Sequence, residues 1–179
     1  MKHFLILLAT LLFASCVLQA EEQMSQPSDT PDFYKSDDHN FLPTGEVTRA
    51  QILSLKVYNY NYVEYVPKSD PVQAIHNISQ PVEIKVFFGD WCIDSKKHVP
   101  AVIKTLEFAD NANIKVTYIN VTPDKKNPAE LLAGWNITHL PTLIALYNGA
   151  ESGRIVETPK SGVDEDLTAI LATIPPPSQ

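Results

Sequence analysis

The stretch Phe87-Phe88-Gly89-Asp90-Trp91-Cys92-Ile93-Asp94-Ser95-Lys96 decides how this sequence folds. It opens at the end of Val82–Phe88 (VEIKVFF), a β-rich run whose second half is nearly all apolar, the pattern of a strand covered on both faces. Gly89 permits a tight turn, and residues 92–109 read as a long helix that contains Pro100. Cys92 therefore stands in the first turn of a helix at the carboxyl end of a sheet, where open α/β folds bind ligands. Free backbone N–H groups and the positive end of the helix dipole favour a thiolate there. Lys96, one turn on along the same face, adds positive charge, whereas the Asp94 carboxylate opposes a second anion.

Outward from this point, elements alternate. Residues 47–56 carry apolar side chains at Val47, Ala50, Ile52, Leu53 and Leu55 and predict a short helix. Tyr58, Tyr60 and Tyr62 alternate with Asn59 and Asn61, a period of two that predicts a strand. Asp70 and Pro71 open a helix over 70–78. Residues 114–121 read as a strand, and Asn127-Pro128 opens a helix that runs to about Gly134. The runs 142–147 and 154–157 flank Asn148-Gly149, a hairpin signal. The final helix, 163–171, places Asp164, Glu165 and Asp166 against its dipole. The order β-α-β-α-β-β-α describes an α/β domain over 47–174, a mixed central sheet flanked by helices.

Two separated motifs then resemble the thioredoxin superfamily, over about residues 70–173. Trp91-Cys92-Ile93-Asp94-Ser95 is similar to the Trp-Cys-x-x-Cys active site, with Ser95 in place of the second cysteine, and His139-Leu140-Pro141-Thr142 is similar to the cis-proline loop. Pro100, eight residues after Cys92, matches the proline that kinks the active-site helix. The Trp-Cys-x-Asp-Ser turn followed by Lys-Lys-His-Val-Pro more closely resembles a bacterial group of exported thioredoxin-like thiol reductases. The resemblance implies a three-layer thioredoxin-like fold. It also implies Cys92 as the exposed nucleophile, Ser95 as a hydroxyl donor to its thiolate, and Trp91 as a platform beside the sulfur. Pro141, in the cis form, leaves the Leu140 backbone free to pair with an extended substrate.

The departures carry as much meaning. A dithiol enzyme attacks a disulfide with one cysteine and resolves the mixed disulfide with the other, and Ser95 cannot take the second step. The family also tends to keep a buried acid six residues before the first cysteine, where this chain has Val86. Among other candidates, His98 falls on a different helical face from Cys92 and is a poor partner for a shared metal. His139 reads as a surface-loop histidine near the sulfur, and Asp124-Lys125-Lys126 as a solvated loop. The tyrosines from Tyr58 to Tyr65 read either as an edge strand packed on the core or as a binding surface. No cofactor and no metal are expected.

The ends of the chain add an address. Lys2 precedes the apolar run FLILLATLLF at 4–13, which is too short to span a bilayer, so residues 1–20 read as a secretory signal peptide. One cut falls after Ser15, where Ala14-Ser15-Cys16 resembles a lipobox with Cys16 lipidated and Phe13 in place of the usual Leu. The other falls after Ala20. Residues 21–46 hold seven acids, Lys35 and three prolines, the composition of a disordered acidic tether. Residues 175–179 form a Pro-rich tail. With 14 Lys+Arg against 21 Asp+Glu, the 179-residue chain has a net charge of −7, which argues against nucleic acid as a partner. Two cysteines exclude a disulfide framework and a Cys-rich zinc site.

The expectation is an exported, monothiol thioredoxin-like protein that exchanges protein or small-molecule thiols and disulfides through Cys92. It would work on the periplasmic side of a bacterial cell envelope, either soluble or attached to the membrane through Cys16. The competing reading is a thioredoxin-fold module that binds a peptide or partner without redox turnover.

Overall fold

A computed structural model describes residues 41–176. Eleven elements follow one another there: β1 (Gly45–Val47), α1 (Arg49–Ser54), α2 (Lys56–Glu64), α3 (Ser69–His76), β2 (Val82–Phe88), α4 (Ile93–Ala109), β3 (Ile114–Asn120), α5 (Ala129–Leu132), β4 (Thr142–Tyr147), β5 (Ala150–Val156) and α6 (Val163–Leu171). The strands form one mixed sheet in the order β1-β3-β2-β4-β5. Central β2 runs parallel to β3 and antiparallel to β4, while β1 runs antiparallel to β3.

The alternation of β2 separates two cores. Val82, Ile84, Val86 and Phe88 join the main core with Ile52 of α1, Tyr58 of α2, Ile75 of α3, Val99, Val102 and Ile103 of α4, and Leu167 and Leu171 of α6. Phe87 points the other way, into a smaller cluster with Ile119, Val121, Leu140, Ile144 and Leu146. Leu131, Leu132, Trp135 and Ile137 cover that cluster, so the third layer is thinner than the first. Trp91 and Cys92 pack at its margin. The β4–β5 turn has Asn148 at φ 51° and Gly149 at φ 75°, the two left-handed residues that a two-residue hairpin requires.

Three sequence expectations are corrected. The helix expected over 47–56 is shorter, because Val47 pairs with Tyr118 as the last residue of β1, Thr48 caps the helix start and Leu55 ends it. Tyr58, Tyr60 and Tyr62 lie in helix α2, not in a strand. The residues that face inward are Tyr58, Asn61, Tyr62 and Tyr65, at helical spacing, and their contacts with the main core and α4 override the β preference of tyrosine. The expected tether over 21–46 also ends earlier than 46, because Gly45 and Glu46 pair with Asn120 and Ile119 as part of β1. Three residues are too few to show a period in sequence, and Gly45 takes φ 110°, a conformation open to glycine. The signal segment 1–20 with Cys16, and residues 21–40 of the acidic stretch, lie outside the described residues.

Pro100 is buried inside α4 and has no N–H for the carbonyl of Lys96 four residues before it. Asn61 Nδ2 of α2 donates to that carbonyl at 2.9 Å. A side chain from one helix thus satisfies the group that a proline orphans in the next.

Candidate active site

Cys92 is the N-cap of α4, with φ −83° and ψ 128°, and it is half-buried. Its N–H donates to Gly89 O at 2.9 Å, and its carbonyl accepts the Lys96 N–H at 3.0 Å, which closes the first turn of the helix. Across from it, the Leu140–Pro141 peptide is cis. The Cys92 thiol donates to Leu140 O at 3.5 Å. The Pro141 loop is itself pinned, as Thr142 Oγ1 donates to His139 O at 2.7 Å and the Glu157 N–H to Pro141 O at 2.7 Å.

Gly89 is the hub of the turn. Its N–H donates to Ser95 Oγ at 3.2 Å, and its carbonyl accepts Tyr58 Oη–H at 3.1 Å as well as the Cys92 N–H. The Trp91 indole lies against its Cα, so a Cβ at this position would stand 2.6 Å from Trp91 Cε2. Trp91 is held there by its Nε1–H, which donates to Val121 O at 2.9 Å. Glycine is required here by close approach rather than by an unusual φ.

Ser95 is fully buried and one helical turn from Cys92. Its hydroxyl oxygen accepts the Gly89 N–H, and the hydroxyl proton is left to donate elsewhere. Tyr58 is also fully buried, and sequence reasoning gave it no place at the site. Burial, with the charges of Asp90 and Cys92 adding to it, pushes the Tyr58 phenol well above its usual value, so the hydroxyl keeps its proton and remains a donor. Asp90, just before Trp91, is buried as well and bonds to Leu42 and Asn120. No local signal marks Tyr58, Asp90 or Asn120, because their partners are 30 or more positions away.

The remaining candidates disperse. Val86 is fully buried in the main core, so no carboxylate stands at that point beneath the turn. His98 is buried on α4, where burial and Lys97 lower its pKa and Asp94 partly offsets them. His139 is exposed, with Nδ1 3.1 Å from Thr138 Oγ1. Asp124 accepts from Thr122 Oγ1 and from the Lys126 N–H, and these bonds lower its pKa. Ile93 is 70% exposed, an apolar rim directly beside the thiol. Among the described residues, no group of three or more His, Cys, Asp or Glu is placed to hold a metal. No helix among them is long and apolar enough to cross a membrane.

A cysteine at a helix N-terminus, facing a cis-proline loop at the end of a β1-β3-β2-β4-β5 sheet, defines a thioredoxin-like α/β protein. The family model described as thioredoxin matches residues 46–167, and the chain belongs to that family. Among solved structures it is similar to an HIV epitope scaffold (19% identity, TM-score 0.50, 72% of this chain and 84% of that one). It is similar also to a protein of unknown function from Pseudomonas aeruginosa (20% identity, TM-score 0.49, 72% and 83%). A mutant thioredoxin from Halobacterium salinarum aligns at 21% identity and TM-score 0.41 over 63% and 92%. No curated protein matches the chain.

Proposed function

We propose that this chain is an exported thiol–disulfide exchange protein that works through one thiol, Cys92, in a bacterial cell envelope. The observation that carries the reading is the placement of Cys92 at the N-cap of α4, facing Leu140 O across the cis Leu140–Pro141 bond, with Ser95 where a resolving thiol would stand. Cys92 as thiolate attacks one sulfur of a disulfide, forming a mixed disulfide and releasing the other sulfur as a thiolate, which takes up a proton. A second, external thiol then attacks the mixed disulfide, freeing Cys92 and carrying the substrate sulfur away in a new disulfide. One disulfide is consumed and one is formed, so the protein returns unchanged without a cofactor. Trp91 and the exposed Ile93 offer apolar surface to the substrate beside the sulfur. The backbone at Leu140 would align an extended segment of it.

The test is incubation of the purified protein in mixed thiol–disulfide buffers, with adducts mapped by mass. The reading expects a mixed disulfide on Cys92 that grows as the disulfide is raised and falls as the free thiol is raised, and a Cys92 that stays unmodified while ordinary free thiols react would overturn it. If Cys92→Ala retains full cellular function, the non-redox binding module takes its place.

A further inference from the structure

We propose that α2 positions the nucleophile for exchange, with Tyr58 as the positioning residue and Asn61 as its support one turn on; this rests on Cys92 being the thiol that attacks a disulfide. The backbone of Cys92 is bonded on both sides. Its N–H donates to Gly89 O at 2.9 Å, and its carbonyl accepts the Lys96 N–H at 3.0 Å. Helix α2 reaches both of these partners. Tyr58 Oη–H donates to Gly89 O at 3.1 Å, and Asn61 Nδ2 donates to Lys96 O at 2.9 Å. Tyr58 and Asn61 stand three positions apart, on one face of the helix. From the other loop, Leu140 O faces the same cysteine at 3.5 Å from Sγ. A path of hydrogen bonds thus runs from a phenol in the main core, through Gly89 O and the Cys92 N–H, to the residue whose sulfur meets the cis-proline loop.

Tyr58 is suited to hold rather than to react. It is fully buried, and its ring packs edge-on against Phe88 with centroids 6.0 Å apart. The phenol keeps its proton, so it remains a donor to Gly89 O across the neutral range. A carbonyl that meets two donors is oriented by both, and loss of one frees the Gly89–Asp90 peptide to rotate. The Cys92 N–H follows that carbonyl, and Sγ shifts relative to Leu140. Attack on a disulfide held at the Leu140 edge needs the sulfur in line with the bond that breaks, and a misplacement of about 1 Å costs up to about 100-fold in rate. A small alkylating reagent has no partner in the Leu140 loop and asks only for an accessible thiolate.

The test compares two rates in the full chain, both read as the modified Cys92 peptide by mass. One is exchange with an extended peptide whose central cysteine is disulfide-linked to thionitrobenzoate. Cys92 bonds to the peptide sulfur, the old S–S bond breaks, and thionitrobenzoate leaves with the electron pair as a thiolate. The other is alkylation by iodoacetamide. Both reactions need the thiolate, so their ratio cancels any change in its population. Tyr58→Phe should lower the ratio of exchange to alkylation about three- to tenfold. Tyr62→Phe removes a hydroxyl of the same helix that bonds Glu107 instead, and should leave the ratio unchanged. An unchanged ratio in Tyr58→Phe, or an equal fall in Tyr62→Phe, overturns the proposal. If Tyr58→Phe does not fold, as read by circular dichroism, Asn61→Leu takes its place and must lower the ratio. A parent protein that is alkylated at Cys92 yet forms no adduct with the peptide fails the exchange reading and this inference with it. One that exchanges with a ratio indifferent to Tyr58→Phe fails this inference alone.

Discussion

The sulfur of Cys92 lies 3.5 Å from the carbonyl oxygen of Leu140, a residue 48 positions further along the chain. Two loops meet there, one at the end of β2 and one at the start of β4, and both are fixed from behind. Ser95 is central to the first loop, because its oxygen accepts the Gly89 N–H. Ser95→Cys should convert the mixed disulfide on Cys92 into an internal disulfide that releases the substrate, seen as loss of adduct mass under the same buffers. It should also cost on the order of 1 kcal/mol in chemical denaturation, since sulfur is the weaker acceptor for the Gly89 N–H. Adducts that persist unchanged in this variant would show that position 95 cannot reach the sulfur.

Trp91 and Gly89 make a second, independent prediction. Gly89→Ala places a methyl group 2.6 Å from the Trp91 ring, closer than such atoms pack, so the indole must leave its bond to Val121 O. In a Trp135→Phe background, where Trp91 alone reports, its fluorescence should shift to the red, and stability should fall by about 1–3 kcal/mol. An unshifted spectrum would mean that the turn yields instead of the ring.

The contrast between legible and hidden parts of this site is physical. β2 was readable because Val82, Ile84, Val86, Phe87 and Phe88 make a buried strand whatever surrounds it, and Trp91-Cys92 and Leu140-Pro141 are short motifs whose chemistry is local. Tyr58 was misplaced because alternating Tyr and Asn mimic a strand, and only α4 packing against α2 shows which period applies. Asp90 was in plain view, but its meaning lies in Leu42 and Asn120, 48 and 30 positions away. No periodicity encodes a bond of that range.

His98 predicts an acid sensitivity. Its folded-state pKa is lowered from 6.5, chiefly by burial, so the unfolded chain binds its proton more readily. Stability from this group is therefore complete above about pH 6.5 and is lost as the pH falls through the lower folded value. His98→Gln should flatten the decline in urea midpoint between neutral and mildly acidic pH, relative to the parent protein. An equally steep decline would assign the sensitivity to other groups.

Asn61 and Pro100 form a coupled pair that a double-mutant cycle can isolate. Pro100 leaves Lys96 O without its helical donor, and Asn61 Nδ2 supplies one from α2. Asn61→Leu alone strands a partly buried carbonyl and should cost about 1–3 kcal/mol in denaturant unfolding. Pro100→Ala restores an N–H to the same carbonyl, so in that background the loss from Asn61→Leu should fall to less than half. Pro100→Ala on its own pits a better helix former against a buried ring that packs in the core, and its sign is not needed for the cycle. Equal losses from Asn61→Leu in both backgrounds would mean that Asn61 acts through packing between α2 and α4, and the carbonyl would then need another donor.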